Sequence, residues 1–342
     1  MSPMRASGAG ASSFRVGVVG AGFIARAHLV AWRRLGVGQL VVFDHHPERA
    51  AASAAEAQAE GASTLPELIA GVDVVDICTP TDDHRATAEA AAAAGRHVIC
   101  EKPIARTLTD ALAITDACRR AGVRLFVGHV VRYFPEYAAA QAAVAEGRIG
   151  RPAVLRLRRE SSLPNKVTTS WIFDEARSGG MIVDLMIHDF DVARWIAGEV
   201  ESVMARRVRD ASGCDVDYAV AILRHASGAL SHVTGAWSYP PPVFRTGFEL
   251  AGDGGLIEYE SVDQQSIARY LAPGTGDEAL GLPASPLADD PFTVELADFA
   301  RALADADAPR VSAEDAIAAL RIALAAAESS RLGRPVRVAD VA

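Results

Sequence analysis

The strongest constraint on the fold is a glycine-rich turn near the amino end of the chain. A short β-branched run leads into Gly20-Ala-Gly22-Phe-Ile-Ala25, and an alanine-rich amphipathic stretch follows. A GxGxxA pattern between a strand and a helix brings the backbone close to a pyrophosphate, which the helix N-terminus binds through its free N–H groups. We therefore predict a dinucleotide site here, with Gly20, Gly22, Phe23 and Ile24 at the cofactor. The alternative is a glycine turn that binds no ligand.

An acidic residue at the end of the next apolar run indicates which dinucleotide this is. Asp44 lies 22 residues after Gly22. A carboxylate at this position accepts hydrogen bonds from both hydroxyls of an adenosine ribose and repels a 2′-phosphate. The sequence therefore favours NAD over NADP. Because His45, His46 and Arg49 are close in sequence, NADP stays open as the alternative cofactor.

Strands and helices alternate through the first third of the chain. The predicted strands cover residues 14–19, 40–43, 72–78, 97–100 and 125–128, and the predicted helices cover residues 24–35, 47–60, 86–94 and 109–121. This alternation is typical of a doubly wound parallel sheet with helices on both faces. We predict an α/β Rossmann domain over residues 14–133.

The pattern changes after Tyr133. A predicted helix over residues 136–146 precedes alternating or β-branched runs joined by glycine-containing turns, at residues 153–159, 200–208, 217–223, 229–237, 248–251 and 255–260. We expect a loop over residues 273–290 and two closing helices over residues 294–305 and 313–332. This order predicts an α+β domain over residues 134–342 with a mainly antiparallel sheet. The closing helices are free to pack back on the first domain.

Composition excludes several classes of protein. The length of 342 residues suits about two domains, and the net charge of −9 argues against a nucleic-acid partner. No apolar run approaches the roughly 18 residues of a membrane span. Residues 1–13 lack a signal-peptide pattern, and we interpret them as a disordered leader of a cytoplasmic protein. Cys78, Cys100, Cys118 and Cys214 show no CxxC or zinc-like spacing, which indicates reduced, mostly buried thiols.

Further motifs follow the glycine turn in a fixed order. They are Cys78-Thr-Pro-Thr-Asp-Asp-His84, Glu101-Lys-Pro103, Gly128-His-Val-Val-Arg132, Ser178-Gly-Gly-Met-Ile-Val-Asp184 running on to His188, and Glu295-Leu-Ala-Asp-Phe299. With these motifs the chain resembles the Gfo/Idh/MocA oxidoreductases, the glucose–fructose oxidoreductase and inositol dehydrogenase family, from Phe14 to Val338. The resemblance implies a Rossmann domain followed by a domain with a large open, mainly antiparallel sheet.

The resemblance also implies partners and cofactor contacts. The open sheet of the family often forms the oligomer interface, so we expect a homodimer or homotetramer. The expected substrate is a sugar or cyclic polyol beside the nicotinamide ring. Thr79, Pro80 and His84 match family positions along the cofactor. Glu101 matches a position near the nicotinamide ribose, and Lys102 matches the catalytic lysine.

Lys102 follows the fourth predicted strand, so we expect it at the carboxyl edge of the sheet, where ligands of doubly wound folds bind. A cationic Lys102 stabilises a developing alkoxide or relays its proton. The alternative is a surface lysine that pairs with Glu101.

Asp184 and His188 are spaced i, i+4 on a predicted helix, which puts them on one face together with Asp191. A neutral imidazole accepts a proton at physiological pH, and Asp184 either binds a substrate hydroxyl or orients that imidazole. We assign His188 as the proton acceptor and Lys102 as its electrostatic partner. The reverse assignment stays open.

Four further residues are candidate substrate contacts. His129 and Arg132 end the last predicted strand of the first domain, and Lys166 and Trp171 precede the Asp184 motif. The alternatives are a packed histidine for His129, an interdomain salt bridge for Arg132 and simple packing for Trp171. The spacing of the histidines suggests no metal site, and we interpret His28 and Trp32 as structural.

Together these features predict an NAD(P)-dependent oxidoreductase, with NAD favoured, that reversibly oxidises a secondary hydroxyl of a sugar, inositol or related polyol. Hydride passes to C4 of the nicotinamide while His188, aided by Lys102, takes the proton. Two alternatives are a redox-neutral, NAD-assisted reaction on a glycoside or imine and a non-catalytic sensor of NAD and sugar.

Overall fold

The computed structural model of the protein describes residues 14–161, 171–210, 216–239, 244–261, 268–271 and 290–342. The predicted leader, Lys166, Cys214 and nearly all of the predicted 273–290 loop lie outside the described residues. The described chain forms two units. The first contains residues 14–105, 109–133 and 290–316, and the second contains residues 106–108, the described part of 134–271, and residues 317–342.

A six-stranded parallel sheet forms the centre of the first unit. Its strands are β1 (Arg15–Val19), β2 (Gln39–Phe43), β3 (Glu60–Gly61), β4 (Val74–Ile77), β5 (His97–Glu101) and β6 (Leu125–Gly128). The strand order is β3-β2-β1-β4-β5-β6, and every neighbouring pair is parallel. The order reverses between β1 and β4, which is where ligands of doubly wound folds bind, outside the carboxyl ends of the strands. The predicted Rossmann sheet is confirmed.

The described chain has eleven α-helices. They are α1 (Phe23–Leu35), α2 (Pro47–Ala57), α3 (Leu65–Gly71), α4 (His84–Ala93), α5 (Leu108–Ala121), α6 (Pro135–Ala145), α7 (Glu175–Ser178), α8 (Gly180–Asp184), α9 (Ile187–Ala197), α10 (Pro291–Asp305) and α11 (Ala313–Leu332). The predicted helix over residues 47–60 is too long, because Gln58 adopts a left-handed conformation and Glu60 pairs with β2. Helix α3, which the sequence analysis missed, begins at Thr64, whose hydroxyl caps it by accepting a hydrogen bond from the Glu67 N–H.

Helix α10 belongs to the first unit, although it comes late in the chain. It packs on α1, and the ring of Phe299 stacks on Phe126 of β6 with centroids 5.0 Å apart. Leu296 and Phe299 are fully buried there with Trp32 of α1. The apolar face of α10 therefore completes the core that covers one region of the parallel sheet.

The second unit is built on an eight-stranded sheet. Its strands are β7 (Pro152–Ser161), β8 (Val200–Arg209), β9 (Asp217–His225), β10 (Leu230–Ala236), β11 (Phe244–Gly252), β12 (Gly255–Glu260), β13 (Ala268–Leu271) and β14 (Val336–Arg337). The order is β13-β12-β11-β7-β10-β9-β8-β14, and only β7 and β10 pair in parallel. The predicted open, mainly antiparallel sheet is confirmed. Strands β13 and β14, at its two edges, were not predicted.

One face of the second sheet is covered by helices. Helices α8 and α9 pack on β7, β9 and β10, and Tyr137 of α6 packs edge-on against Phe248 of β11 with ring centroids 5.0 Å apart. Along β9 buried and exposed residues alternate, as expected for a strand with one covered face. In the part of the chain that the structure describes, none of the helices has the length and apolar character needed to cross a membrane.

Candidate functional site

The glycine turn joins β1 to α1 in the geometry that its sequence predicts. Gly20 has φ of +111°, and a Cβ on it would lie 2.6 Å from the carbonyl oxygen of Cys78, so the turn tolerates only glycine. Gly22 is the N-cap of α1 and supplies no side-chain cap. A Cβ built on Gly22 meets no atom within 4 Å. The helix N-terminus is therefore open to an anion, as the sequence predicted.

The next residues of this turn differ in exposure. The side chain of Phe23 is 85% exposed, Ile24 is half-buried, and Ala25 is fully buried in the core beneath the turn. The small Ala25 side chain permits close packing of α1 on the sheet, which is the physical role of the third position of a GxGxxA pattern. Ile24 and Phe23 contribute their backbone N–H groups to the first turn of α1.

Asp44 follows β2 and is already tied to the glycine turn. Its Oδ2 accepts a hydrogen bond of 2.9 Å from the Ala21 N–H, and its Oδ1 accepts one of 2.9 Å from the His46 N–H. The Arg49 guanidinium lies 3.7 Å from Oδ2. Each carboxylate oxygen has more than one lone pair, so Asp44 keeps the capacity to accept ribose hydroxyls. The carboxylate thus lies beside the glycine turn, and its contact with an adenosine ribose stays a prediction.

The segment after β4 lies against the glycine turn. The Thr79 hydroxyl is buried and has no hydrogen-bond partner among the residues described, while Pro80 is half-buried. A buried hydroxyl without a partner is costly unless a ligand supplies one. His84, at the start of α4, places its ring nitrogens 3.0 Å from the Pro103 carbonyl oxygen and 3.1 Å from the Thr79 carbonyl oxygen. Its ring therefore joins the segment after β4 to the segment after β5.

Lys102 is half-buried and directly follows β5, at the carboxyl edge of the parallel sheet. Its backbone N–H donates a 3.0 Å hydrogen bond to Oε2 of Glu101. The other oxygen of that carboxylate, Oε1, lies 3.1 Å from Nε2 of His28. Both oxygens of Glu101 are thus engaged within the first unit. This arrangement lets Glu101 hold the Lys102 backbone, and the place near the nicotinamide ribose that the resemblance implies stays a prediction.

His28 and Trp32 belong to a polar cluster that the sequence analysis passed over as structural. His28 Nδ1 lies 2.9 Å from Oδ2 of Asp76, and the Trp32 indole N–H donates a 2.8 Å hydrogen bond to the same oxygen. Asp76 is fully buried in the middle of β4. Burial beside Asp76 raises the pKa of the Cys78 thiol to about 12. A charged residue inside an otherwise apolar run, Val74-Val-Asp-Ile77, was the available signal.

The prediction that Asp184 and His188 lie on a single helix is wrong, because the chain forms two helices there. Asp184 ends α8 and His188 is the second residue of α9. The Met181 carbonyl accepts from the Leu185 N–H at 2.9 Å and from the Met186 N–H at 3.2 Å. The second of these bonds spans five residues and widens the helical path at the junction. Such widened turns are frequent at functional sites. Asp184 and His188 are both half-buried in the second unit.

Helix α9 is anchored next to His188. Asp189 is fully buried and accepts hydrogen bonds of 2.9 and 3.2 Å from the guanidinium of Arg159 on β7. Met181 and Met186 pack where Gly235 of β10 leaves room, since a Cβ on Gly235 would lie 2.3 Å from Met186 Cγ. The backbone that carries His188 is therefore fixed to the sheet of its own unit.

The candidate substrate contacts have different surroundings. Arg132 is 2% exposed and donates to the Arg310 carbonyl at 3.3 Å and to Asp315 Oδ2 at 3.2 Å. These partners belong to the same unit as Arg132, so this salt bridge lies within the first unit and is not the interdomain salt bridge of the alternative, and a substrate contact of Arg132 stays a prediction. His129 is buried after β6, and Trp171 is half-buried in a short 3₁₀ turn. Lys166 lies outside the described residues.

Together the parallel sheet, the glycine turn, Asp44 and the open N-terminus of α1 define a dinucleotide-binding Rossmann scaffold. The model of the GFO/IDH/MocA oxidoreductase family with an NAD-binding Rossmann fold matches residues 14–129, and the model of the GFO/IDH/MocA C-terminal domain matches residues 137–258. The chain belongs to the Gfo/Idh/MocA family.

Named relatives cover nearly the whole chain. The chain is 31% identical over 345 residues to myo-inositol 2-dehydrogenase of Thermotoga maritima, with 96% of this chain and 99% of the relative covered. It is 30% identical over 335 residues to 1,5-anhydro-D-fructose reductase of Ensifer adhaerens, with 95% and 98% covered. The structure of levoglucosan dehydrogenase in complex with NADH and levoglucosan superposes with a TM-score of 0.86 at 27% identity, with 95% of this chain and 99% of that chain covered.

These similarities agree with the geometry at the glycine turn. The open α1 N-terminus, the space above Gly22, the Asp44 carboxylate and the buried Thr79 hydroxyl, which has no partner among the residues described, all fit NAD. The residues would hold the pyrophosphate at the helix N-terminus and the adenosine ribose at Asp44. The chain is thus an NAD-binding member of a family of sugar and polyol oxidoreductases.

Proposed function

We propose that the protein is an NAD-dependent dehydrogenase that reversibly oxidises a secondary hydroxyl of a sugar, inositol or related polyol. The observation that carries this proposal is the position of Lys102 in the first unit. The glycine turn follows β1 and Lys102 follows β5, and because all strands of this sheet are parallel, both lie at its carboxyl edge. A cation beside a nicotinamide site suits an alcohol that develops negative charge on oxygen.

In this proposal the chain supplies binding, orientation and proton transfer. NAD, when bound, accepts the hydride from the substrate carbon. The Lys102 ammonium donates a hydrogen bond to the substrate oxygen and stabilises it as its proton leaves. The His188 imidazole takes that proton, and Asp184 binds a neighbouring hydroxyl or orients the ring. The reverse assignment, with Lys102 as the direct acceptor, stays open.

Two features support the choice of Lys102 and of the substrate class. The chain has only two lysines, Lys102 and Lys166, and its other 32 cationic side chains are arginines. A lysine can lose its proton near neutral pH when its surroundings shift its pKa, whereas an arginine stays charged. The relatives named for myo-inositol, 1,5-anhydro-D-fructose and levoglucosan support a cyclic polyol or ring-form sugar as substrate.

The first experiment follows absorbance at 340 nm with the purified protein, NAD or NADP, and a panel of inositols, pentoses, hexoses, anhydrosugars and sugar acids. NADH formation with one member supports the proposal and identifies the substrate group. Cleavage of a glycosidic bond without net NADH would favour redox-neutral chemistry. Binding of NAD and sugar without any reaction across a broad panel would favour the sensor.

The cofactor preference has its own test at Asp44. Asp44→Asn removes the charge that repels a 2′-phosphate and weakens the acceptor for the ribose hydroxyls. We expect NAD affinity to fall by about tenfold, the usual worth of one charge-assisted hydrogen bond, and the NAD-to-NADP preference to narrow. Arg49→Ala, which removes the neighbouring cation, is the matched control and should weaken NADP alone. An unchanged preference in Asp44→Asn would contradict the assignment.

A further inference from the structure

Four ionisable side chains lie together beneath the carboxyl edge of the parallel sheet. They are His28 of α1, Asp76 of β4, Glu101 of β5 and Glu295 of α10, and each is at most 6% exposed. Buried charges rarely add net stability compared with apolar groups of the same size. The cluster therefore calls for a functional explanation, which the reaction described above does not yet supply.

His28 lies between two carboxylates. Its Nδ1 is 2.9 Å from Oδ2 of Asp76 and its Nε2 is 3.1 Å from Oε1 of Glu101. Ionised carboxylates only accept hydrogen bonds, so both ring nitrogens of His28 must donate, and the ring is an imidazolium. Burial alone lowers the pKa of His28, but Asp76 and Cys78 outweigh burial and raise it well above its ordinary value.

Glu101 connects this imidazolium to the candidate catalytic lysine. One oxygen faces His28, and the other accepts the Lys102 N–H at 3.0 Å. Gly128 of β6 leaves the space for this carboxylate, since a Cβ there would lie 2.7 Å from Oε1 of Glu101. The Glu101 carboxylate is thus held by the His28 ring and by the Lys102 backbone amide. It occupies the space that the lack of a side chain on Gly128 leaves.

Glu295 faces the same cluster from α10. Neither of its carboxyl oxygens has a hydrogen-bond partner among the described residues, and one of them lies within 4.8 Å of both a ring nitrogen of His28 and a Glu101 oxygen. Burial, and then the carboxylates of Glu101 and Asp76, raise the pKa of Glu295 well above its ordinary value. The direct contacts of the His28 ring are thus the carboxylates of Asp76 and Glu101.

We propose that His28 is a positioning residue: it holds the Glu101 carboxylate in place, and Glu101 in turn fixes the backbone at Lys102. This inference rests on the proposed function, in which Lys102 meets the substrate oxygen. Displacement of a catalytic group by about 1 Å costs on the order of 100-fold in rate. The cluster therefore acts on turnover through the Lys102 backbone, without contact between His28 and substrate.

A double-mutant cycle tests whether His28 acts through Glu101. His28→Gln retains hydrogen-bond donors but removes the charge, and Glu101→Gln retains an acceptor for the Lys102 N–H. We expect each single variant to lower kcat by on the order of 100-fold, with the Kd for NAD within about twofold of wild type. Because both act on one path, the double variant should fall no further than the worse single variant. Independent effects that multiply would overturn the proposal.

A second variant covers the case in which His28→Gln does not fold. Gly128→Ala adds one methyl group that pushes the Glu101 carboxylate aside and leaves every charge in the cluster present. It should lower kcat with little change in the KM for substrate. Wild-type kcat in a folded Gly128→Ala protein would overturn the proposal, because the Glu101 position would then be irrelevant to turnover.

Amide hydrogen exchange at Lys102 gives a readout that needs no substrate. We expect exchange of the Lys102 N–H to be at least tenfold faster in His28→Gln and in Gly128→Ala, since each weakens its acceptor. The matched control is His225→Gln, which alters another buried histidine in the second unit and should leave both exchange and kcat unchanged. Faster exchange at Lys102 in a protein that oxidises no sugar would refute the proposed function alone. Unchanged exchange would refute the positioning role.

The side chains of the cluster are also of the types that bind metal ions. Measurements of kcat and of Lys102 exchange distinguish metal binding from the positioning role. Dialysis against a strong chelator should leave kcat and Lys102 exchange of the wild-type protein unchanged. A loss of activity that added Zn²⁺ restores would overturn the proposal in favour of metal binding at His28, Glu101 and Glu295.

Discussion

Charged side chains in the first sheet and on the open face of the second sheet have opposite surroundings. In the first unit no residue of β4 is exposed, so Asp76 has no access to water and takes its hydrogen bonds from His28 and Trp32 of α1. In the second unit alternate residues of β9 are exposed, and Arg224 reaches solvent, where it pairs with Glu201. Asp76 must be satisfied inside the protein, as must Arg159 on the helix-covered face of the second sheet, which pairs with Asp189, whereas Arg224 on the open face is satisfied by water and an exposed partner.

The difference follows from how each sheet is covered. A parallel sheet with crossover helices is buried on both faces, whereas an antiparallel sheet commonly leaves one face open. A charge inside the first sheet therefore requires dedicated partners, and its removal leaves those partners unsatisfied. A charge on the open face of the second sheet is solvated. Because a buried charge is costly, the Asp76 cluster indicates a function. The solvated Arg224 gives no such indication.

The largest expected effects lie at the two candidate proton-handling residues, one in each unit. Lys102→Ala and His188→Ala should each lower kcat by roughly 10²–10⁴, the usual contribution of an acid–base group, with little change in NAD affinity measured by fluorescence titration. Lys102→Arg separates the two roles of the lysine, because arginine keeps the charge but gives up no proton. Partial activity in Lys102→Arg indicates a purely electrostatic role. Wild-type turnover in both alanine variants would refute the site.

A substitution in each sheet tests the comparison itself. Asp76→Asn leaves the His28 imidazolium with a weaker partner, and we expect the free energy of unfolding to fall by about 3–5 kcal/mol, as when a buried ion pair loses one member. Arg224→Ala breaks an exposed pair and should change it by less than about 1 kcal/mol. Chemical unfolding of the full chain, followed by circular dichroism, measures both. Equal effects of the two substitutions would show that coverage of the sheet does not decide the cost.

The sequence predicted the parts of the fold that strong local patterns specify. The glycine turn, the alternation through Gly128 and the antiparallel second sheet all depend on residue types with narrow backbone preferences or clear periodicity. Short elements escaped prediction, because β3 and β14 have two residues each and α3 has seven. Their positions depend on long-range pairing, which no local pattern reveals.

Only part of the candidate site could be predicted from the sequence. Asp44 and Lys102 each end a predicted strand, so strand order alone puts them at the carboxyl edge. The Asp76–His28–Glu101 chain was not predicted, because its members come from three elements far apart in sequence. The break between Asp184 and His188 was also missed, since the intervening Leu185 and Met186 favour helix. There Met186 packs closely on Gly235 of β10, a long-range contact that no local pattern reveals.

The open face of the second sheet carries an apolar patch, which suits the homodimer or homotetramer that the family resemblance leads us to expect. Val208 pairs with Tyr218, and Met204 pairs with Ile222, on neighbouring strands, so all four share one face. Val208 is 63% exposed, and Tyr218 and Ile222 are each 39% exposed. Ile222→Glu should weaken self-association by at least about tenfold, measured by light scattering on a sizing column. Leu112→Glu, at an exposed apolar residue of α5, should leave the mass unchanged. A monomeric wild-type protein would refute the interface.

The smallest expected effect is a difference in pH dependence between two buried histidines. His28 faces carboxylates, and its pKa is raised. His225 faces the Gly198 carbonyl and the Ser231 hydroxyl at 2.7 Å each, and burial lowers its pKa. The ordinary value for histidine is about 6.5. Above about pH 6.5, His28 binds more protons in the folded protein than it does in the unfolded chain. Below it, the unfolded chain binds more protons at His225.

These signs fix two separate pH windows. The stabilisation from His28 is complete below about pH 6.5 and is lost as pH rises toward its raised pKa, with a slope of at most about 1.4 kcal/mol per pH unit. The stabilisation from neutral His225 is complete above about pH 6.5 and is lost as pH falls toward its lowered pKa. His28→Gln should therefore flatten the alkaline side of the stability curve, and His225→Gln should flatten the acid side. Unfolding midpoints between pH 5 and pH 9 measure both. If both variants flatten the same side, the hydrogen-bond partners of these histidines do not set their charge states. His28 is then not the imidazolium on which the positioning of Lys102 depends.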